Sequence, residues 1–211
     1  MIASIGLLSI TALLAAGQTS AQTPPAELAA QFNLIRSDLE HQHTSEALRL
    51  AKQLSARHEN DVKVHFSLGV LLAMARQYKV AELELEKADA LAPGTFEVVY
   101  NLGQAFLRSG DYARADSALD RALKLKPDDP QTLSLRAQAL AAESRPMDAL
   151  ALLVRAHKIA PGNTDITLLM AGISMSQHYY EDAIPLLEAG LALAPQRPDL
   201  RAALGESYLK E

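Results

Sequence analysis

The histidine side chains are the first place to look for chemistry in this 211-residue chain, because imidazole serves as a metal ligand and as a general base. His41 and His43 form a His-x-His pair. Residues two apart on a helix point to different sides, so we expect a solvated loop rather than a metal site. His65 stands where a large core residue is expected, which predicts a packed histidine. His157 and His178 have no serine or carboxylate partner at a spacing that favours catalysis.

The short motifs that position a catalytic or phosphate-binding group are missing from the sequence. There is no glycine-rich phosphate loop, no HExxH and no GxSxG. The chain has no cysteine, which removes disulfides, thiolate nucleophiles and cysteine-type zinc sites. We therefore predict no catalytic residue, no metal and no cofactor, and a protein that is not itself an enzyme.

The charged residues indicate a mild, mixed surface. The formal net charge is −5 with both signs interspersed, which argues against nucleic acid and against anionic membranes as partners. One acidic stripe is most simply a solvated outer face, and a basic partner docking there is the alternative. The stripe consists of Glu82, Glu84, Glu86 and Asp89.

A proline that returns every 34 residues organises the chain. It stands at Pro93, Pro127, Pro161 and Pro195. Each proline closes a segment that carries the same apolar pattern, a large-then-small step followed by an alanine–large–alanine group. In the first segment these are Leu68-Gly69 and then Ala81, Leu85 and Ala88. Spacings of three and four residues place such groups on one helix face, so each segment predicts two helices. Proline cannot continue a helix and separates one pair from the next.

The segments 62–95, 96–129, 130–163 and 164–197 resemble the tetratricopeptide repeat, a 34-residue helix–turn–helix unit. The resemblance implies an all-α fold, a right-handed superhelical solenoid of antiparallel helix pairs in which each unit contacts only its neighbours. Arg136 departs from the pattern, and so do Thr167 and Ser174 in the fourth repeat. There we expect the packing on a neighbouring stripe, formed by Ile166, Leu169 and Ile173. Pro185 fits its predicted helix only near the first turn.

The two ends of the chain are less regular. Residues 22–61 are predicted to be a linker and a degenerate first repeat, with Leu28, Phe32, Ile35 and Leu39 on one helix and Ala47, Leu50 and Leu54 on another. Residues 198–211 match a first helix again, with Leu204, Gly205 and Tyr208 at the repeat positions. This segment is either a capping helix or the start of a further repeat in a longer protein.

The N-terminus predicts export. Residues 2–16 are almost wholly apolar, and small residues around Ala21 precede Gln22, as in a secretory signal peptide of residues 1–21. The alternative is an uncleaved anchor, but the run is shorter than the about 20 residues that a spanning helix needs. We expect a periplasmic or extracellular protein with no membrane insertion after cleavage.

Members of the resembled family receive peptides in a concave groove lined by the first helices of successive repeats. Residues one place after the core stripe should face that groove. The candidates are Phe66, Val70, Met74, Tyr100, Gln104, Leu107, Arg108, Leu168 and Met175, with Ala73, Ser134, Gln138, Ala142 and Gly172 beside them. The alternative is that this second apolar stripe packs against the neighbouring repeat. A clamp for a terminal carboxylate is not expected, because Phe66, Ser67 and Val70 occupy its places and Asn101 stands alone.

The sequence therefore predicts a protein–protein interaction scaffold or adaptor outside the cytoplasm, with a protein or peptide partner in its groove. Envelope assembly, secretion and polysaccharide export are settings that the family resemblance suggests. The alternative is a regulatory or substrate-recruiting domain of a longer enzyme or export protein. Self-association through residues 198–211 is a further possibility.

Overall fold

The computed structural model describes residues 25–211, and all regular elements in that range are α-helices of 13 to 16 residues. The predicted signal peptide, residues 1–21, lies outside the described residues. The helices are α1 (Pro25–Glu40), α2 (Thr44–Arg57), α3 (Val62–Met74), α4 (Tyr78–Leu91), α5 (Phe96–Ser109), α6 (Tyr112–Leu125), α7 (Pro130–Ala142), α8 (Pro146–Ile159), α9 (Thr164–Ser176), α10 (Tyr180–Leu193) and α11 (Pro198–Lys210). The prediction of an all-α repeat solenoid is confirmed.

The helix boundaries follow from local chemistry. Each of the four periodic prolines lies two residues beyond the end of a second helix, where a residue without an N–H is well tolerated. Several first helices begin at a side chain that accepts hydrogen bonds from free backbone N–H groups. Asp61 caps α3 by accepting from Lys63 N at 2.9 Å, and Asp129 caps α7 by accepting from Thr132 N at 2.7 Å.

The two helices of a pair approach closely where the first helix carries a small residue. A Cβ added to Gly69 of α3 would lie 2.5 Å from Leu85 Cγ of α4. At Gly103 of α5 the same atom would lie 2.7 Å from Leu119 Cγ of α6. Glycine leaves a hole that the facing leucine fills, which fixes how each first helix is rotated against its partner.

The core is a series of small clusters that join neighbouring pairs, as the repeat pattern predicts. In the fourth full repeat, Ile166 and Ile173 are buried and Leu169 is half-buried, but Thr167 and Ser174 are buried as well. Both stripes of α9 therefore pack, rather than the neighbouring stripe alone.

Pro185 lies deeper in its helix than the sequence prediction allows. It is the sixth residue of α10, beyond the first turn, and the helix continues through it. The missing N–H would have bonded the carbonyl of Glu181. Both residues are exposed, so solvent can hydrate that carbonyl.

Ion pairs connect successive repeats. Arg136, which replaces an apolar residue, reaches back to α6 with 2.6 Å contacts to Asp116 and Asp120. Arg121 forms a bidentate pair at 2.8 Å with Asp89 of the preceding repeat. Arg114 also pairs with Glu86 of the preceding repeat, through a single contact. Arg114 and Arg121 are exposed and the other groups are half-buried, so all of them keep contact with solvent and each pair adds at most about 1 kcal/mol to the stability.

Each turn between the two helices of a pair contains one residue with a left-handed backbone. These residues recur at the repeat period, with φ between 61° and 85°, at Gln42, Arg76, Gly110, Ser144 and His178. One of the five is glycine, the residue that adopts this conformation without steric cost. The other four accept local strain so that the turn can keep its geometry.

The stack is tighter on the side of the first helices. Successive first helices contact one another directly, α3 with α5, α5 with α7, α7 with α9 and α9 with α11, whereas successive second helices are farther apart. The solenoid therefore curves toward the first helices, which line its inner face. Within residues 25–211, no helix is long and apolar enough to cross a lipid bilayer.

Candidate functional site

The inner face is positioned by the close pairing of each first helix with its second helix. Leu68 and Gly69 are buried against α4. The flanking residues Phe66 and Val70 are therefore turned partly outward, and both are half-buried. The same rotation leaves Tyr100, Gln104 and Leu107 half-buried on α5. Met74 is 54% exposed and Arg108 is exposed at the ends of these helices.

Three of the predicted groove residues border the same core cluster, and together they are called the first patch here. Phe66, Tyr100 and Leu107 pack against a core cluster that extends from Leu85 to Ala139. Their inner atoms support the junctions between repeats, and their outer atoms face solvent. Both interpretations of the second apolar stripe therefore have a basis, since the same side chains pack on neighbouring repeats and present an apolar surface.

Tyr100 gives this patch a polar edge. Its ring stacks on Phe96 with 5.7 Å between centroids, and the Lys126 ammonium lies 3.7 Å from the centre of the Phe96 ring. Burial and the negative charge of Asp129 raise the pKa of the Tyr100 hydroxyl. The phenol is therefore neutral at physiological pH and remains a hydrogen-bond donor. Asp129 was not among the predicted residues, because its capping role gave no sign that it faces a groove tyrosine.

The third full repeat interrupts the apolar surface. Its inner positions are Ser134 and Gln138, both half-buried, and the exposed Ala142. The Ser134 hydroxyl donates to the Pro130 carbonyl at 2.8 Å, so it is occupied within its own helix. Similarly, Asn101 donates to the Glu97 carbonyl at 2.7 Å.

Leu168 and Met175 form a second patch that is separate from the first. They pack against a cluster of Ala171, Ala183, Leu187 and Leu200 near the C-terminal end. Between them Gly172 is exposed, and no atom lies within 4 Å of the position of an added Cβ. The structure thus divides the predicted groove residues into two apolar patches with a polar interval.

A buried polar network lies where α2, α3 and α4 meet, and it corrects one sequence prediction. Glu84 was assigned to a solvated acidic face, but it is 6% exposed, and Glu82 is 4% exposed. Glu84 accepts from His65 Nδ1 at 2.7 Å, from Ser55 Oγ at 3.0 Å and from Lys87 Nζ at 2.9 Å. The prediction fails because these partners come from three helices and offset the cost of burying the carboxylate.

His65 is packed, as predicted, and uses both ring nitrogens. Nδ1 faces the Glu84 carboxylate and Nε2 lies 3.1 Å from the Glu59 carbonyl oxygen. Both partners are hydrogen-bond acceptors. The ring is 1% exposed, so this acid–base pair has no route to a substrate.

His41 and His43 lie together in the turn between α1 and α2, and His178 lies in the turn between α9 and α10. His41 Nδ1 lies 2.8 Å from the Ser37 carbonyl oxygen, and His43 lies 3.6 Å from Asp38. His178 contacts the Tyr180 hydroxyl at 3.2 Å. Among the described residues, no three His, Asp or Glu side chains come together in a way that could hold a metal ion.

Comparisons with known proteins agree with this architecture. Two family models, both described as tetratricopeptide repeat, match residues 32–94, 100–164 and 140–206. A comparison with curated protein sequences found no match.

Several solved structures share the fold. MamA from Desulfovibrio magneticus RS-1 is 19% identical with a TM-score of 0.69, over 82% of this chain and 97% of that one. MamA AMB-1 is 19% identical with a TM-score of 0.62, over 84% of this chain and 97% of that one. YrrB, described as a TPR protein with an unusual peptide-binding site, is 18% identical with a TM-score of 0.66, over 82% and 89%.

Proposed function

The chain belongs to the tetratricopeptide repeat family, and we propose that it is a scaffold that holds a peptide or a helix of a partner protein against its inner face. The observation that carries the proposal is the first patch, in which Phe66, Tyr100 and Leu107 present apolar surface on the inside of the curve. Aromatic anchors of this kind dominate many protein interfaces, and Met74 beside them is an adaptable contact. The likeness to YrrB, a protein with a peptide-binding site, supports the same role.

The two patches define the chemistry of the partner. The first accepts an apolar side chain and offers the Tyr100 hydroxyl as a donor. The second, at Leu168 and Met175, accepts another apolar side chain. The interval at Ser134 and Gln138 suits a small or polar stretch between these two anchors. We propose no enzymatic activity for the protein. We also propose no nucleic-acid partner, in keeping with its mild negative charge.

The test is selection of ligands from a displayed library of random peptides on the purified protein, followed by titration of the selected peptides. The double variant Tyr100→Ala/Leu107→Ala should lose binding while its far-ultraviolet circular dichroism stays helical. The matched control is Tyr112→Ala/Leu125→Ala, which removes the same two residue types from exposed positions on α6. The control should bind like wild type. Equal affinity of the groove variant and wild type for every selected peptide would refute the groove.

We propose further that the scaffold acts outside the cytoplasm, in the periplasm or beyond. The support is the apolar run at residues 2–16 and the small residues before Gln22. Expression in a bacterial host followed by cell fractionation and intact-mass analysis tests the proposal. The expected product begins at Gln22 and leaves the cytoplasm, whereas a full-length product retained in the cytoplasm contradicts export.

A further inference from the structure

Gly172 lies in the middle of α9, and its surroundings differ from those of the glycines that pack between helices. At Gly69, Gly103 and Gly190 an added Cβ would lie 3.3 Å or less from a leucine side chain, so close packing explains why these positions carry no side chain. A Cβ added to Gly172 meets no atom of residues 25–211 within 4 Å. Apart from proline, glycine is the least favourable residue in a helix, and packing does not explain its presence here.

Gly172 occupies an inner-face position of its repeat. The same position holds Val70 in the first full repeat, Gln104 in the second and Gln138 in the third, and each of these side chains is half-buried. In the fourth repeat Gly172 is exposed. The inner face therefore has a notch at Gly172, where each of the three preceding repeats places a side chain.

The walls of this notch are apolar. Leu168 lies four residues before Gly172 and Met175 three residues after it, so the three residues share one side of α9. Both side chains are half-buried against the cluster that contains Ala171 and Leu187. The notch is thus a gap within the second patch, with a leucine on one side and an adaptable methionine on the other.

The charge of the surroundings limits what the notch can hold. The three residues that form it are uncharged, and the neighbouring inner-face positions of α7 are Ser134 and Gln138. On the other side α11 carries the exposed Glu206, whose negative charge disfavours an acidic occupant. A basic side chain would leave water for two apolar walls, and one exposed carboxylate offsets little of that cost. A large uncharged side chain gains free energy from the same burial.

We propose that Gly172 is a specificity-determining residue, whose missing side chain leaves a hole for one large uncharged side chain of the bound partner segment. Leucine, methionine and phenylalanine have the required character. The inference rests on the proposed function, because it names what the inner face selects. The first patch supplies the other anchor. Successive first helices pack about 8 to 10 Å apart, so α5 and α9 lie roughly 16 to 20 Å apart, which an extended segment spans with about five or six residues.

The test is parallel selection of a displayed library of random peptides on wild type and on Gly172→Leu. Wild type should select two large apolar residues, about five or six positions apart. The leucine has room on α9 and fills the hole, so the variant should select one large residue and a glycine, alanine or serine at the other anchor. In cross-titrations each protein should bind its own peptides more tightly than the other set, by about ten-fold or more.

Two further variants separate an effect on specificity from an effect on folding. Gly172→Ala introduces the best helix former, so its Tm should rise while its affinity for the peptides of wild type falls. Ala151→Leu adds a leucine at an exposed position of the second helix α8, and it should select the same peptides as wild type.

The inference is overturned, with the proposed function intact, if wild type and Gly172→Leu bind every selected peptide equally while Tyr100→Ala/Leu107→Ala loses binding. Enrichment of lysine or arginine at the second anchor also overturns it. So does a folded Gly172→Leu that binds no peptide, since that result indicates that the main chain of the partner approaches Gly172. A wild type that selects no peptide overturns the proposed function and this inference together.

Discussion

The buried carboxylate of Glu84 joins the degenerate first repeat to the rest of the stack. Ser55 comes from α2, His65 from α3 and Glu84 from α4, so the hydrogen bonds of one side chain connect three helices. Elsewhere the same junctions rely on apolar clusters. A polar junction is more specific in geometry and more sensitive to loss of one partner, because the groups left behind are buried.

Replacing Glu84 by glutamine should destabilise the protein at neutral pH by about 1 to 3 kcal/mol, the cost of leaving buried polar groups imperfectly paired. Burial opposes ionisation of Glu84, but hydrogen bonds from His65, Lys87 and Ser55 together lower its pKa below the ordinary 4.5. A lowered pKa adds stability above pH 4.5 that is lost as the pH falls through the lowered value. Urea unfolding across pH 3 to 8 should therefore show a difference between variant and wild type that shrinks in acid.

Glu86→Gln is the matched control for this prediction. Glu86 lies on the same helix and pairs with Arg114 in an exposed setting, so its loss should change the free energy of unfolding by less than about 1 kcal/mol. A Glu84→Gln variant as stable as Glu86→Gln at neutral pH would show that the network contributes nothing to the junction.

For single residues, the sequence predicted which face of a helix a side chain lies on better than it predicted its hydrogen-bond partner. The 34-residue period placed position 65 toward the core and made a packed histidine the expected result. It could not predict Glu84 as the partner. Acidic residues stand at every second position of this part of α4, and nothing in the sequence of that helix marks one of them as buried. The pairing depends on how α2, α3 and α4 meet, and Ser55 lies 29 residues from Glu84.

At the scale of the element, the turn within each pair requires a left-handed residue whatever its type. Ser144→Gly should raise the free energy of unfolding by up to about 1 kcal/mol, because relief of the left-handed strain exceeds the entropy that glycine adds to the unfolded chain. The reverse change, Gly110→Ala, should lower it by about 1 to 2 kcal/mol. Thermal and urea unfolding measure both, and a stabilised Gly110→Ala would contradict the account.

The periodic prolines predicted the breaks between helix pairs, but the sequence did not predict this common turn geometry. Proline cannot extend a helix, so the breaks after α4, α6, α8 and α10 were visible from residue type. The left-handed position is occupied by glutamine, arginine, serine and histidine as well as glycine, and four of those five types give no local signal. The position of Pro185 was also not predicted. The rule that excludes proline beyond the first turn did not hold at this exposed position of α10.

For the whole molecule, each repeat packs mainly on its neighbours. We therefore expect a destabilising substitution to affect the nearby repeats and not the distant ones. Gly69→Ala forces a Cβ toward Leu85 and should destabilise α3 and α4 by about 1 to 3 kcal/mol. Native-state hydrogen exchange should then speed up in α1–α4 and remain close to wild type in α9 and α10. Gly172→Ala, with open space around the new Cβ, should slow exchange in α9 instead. Uniform acceleration along the chain would indicate a single cooperative unit.

The curvature of the stack also has a mechanical consequence. A tension applied between the two ends of the stack acts on the junctions between repeats in series, because the helices of residues 25–211 pack mainly on those of the same or the neighbouring repeat. The molecule can first straighten like a spring at small cost, since each junction turns by a small amount. Under greater load it should yield one repeat at a time, and each 34-residue unit releases roughly 110 to 120 Å of extended chain. A partner held along the inner face would stiffen the spring, since it bridges junctions that otherwise open independently.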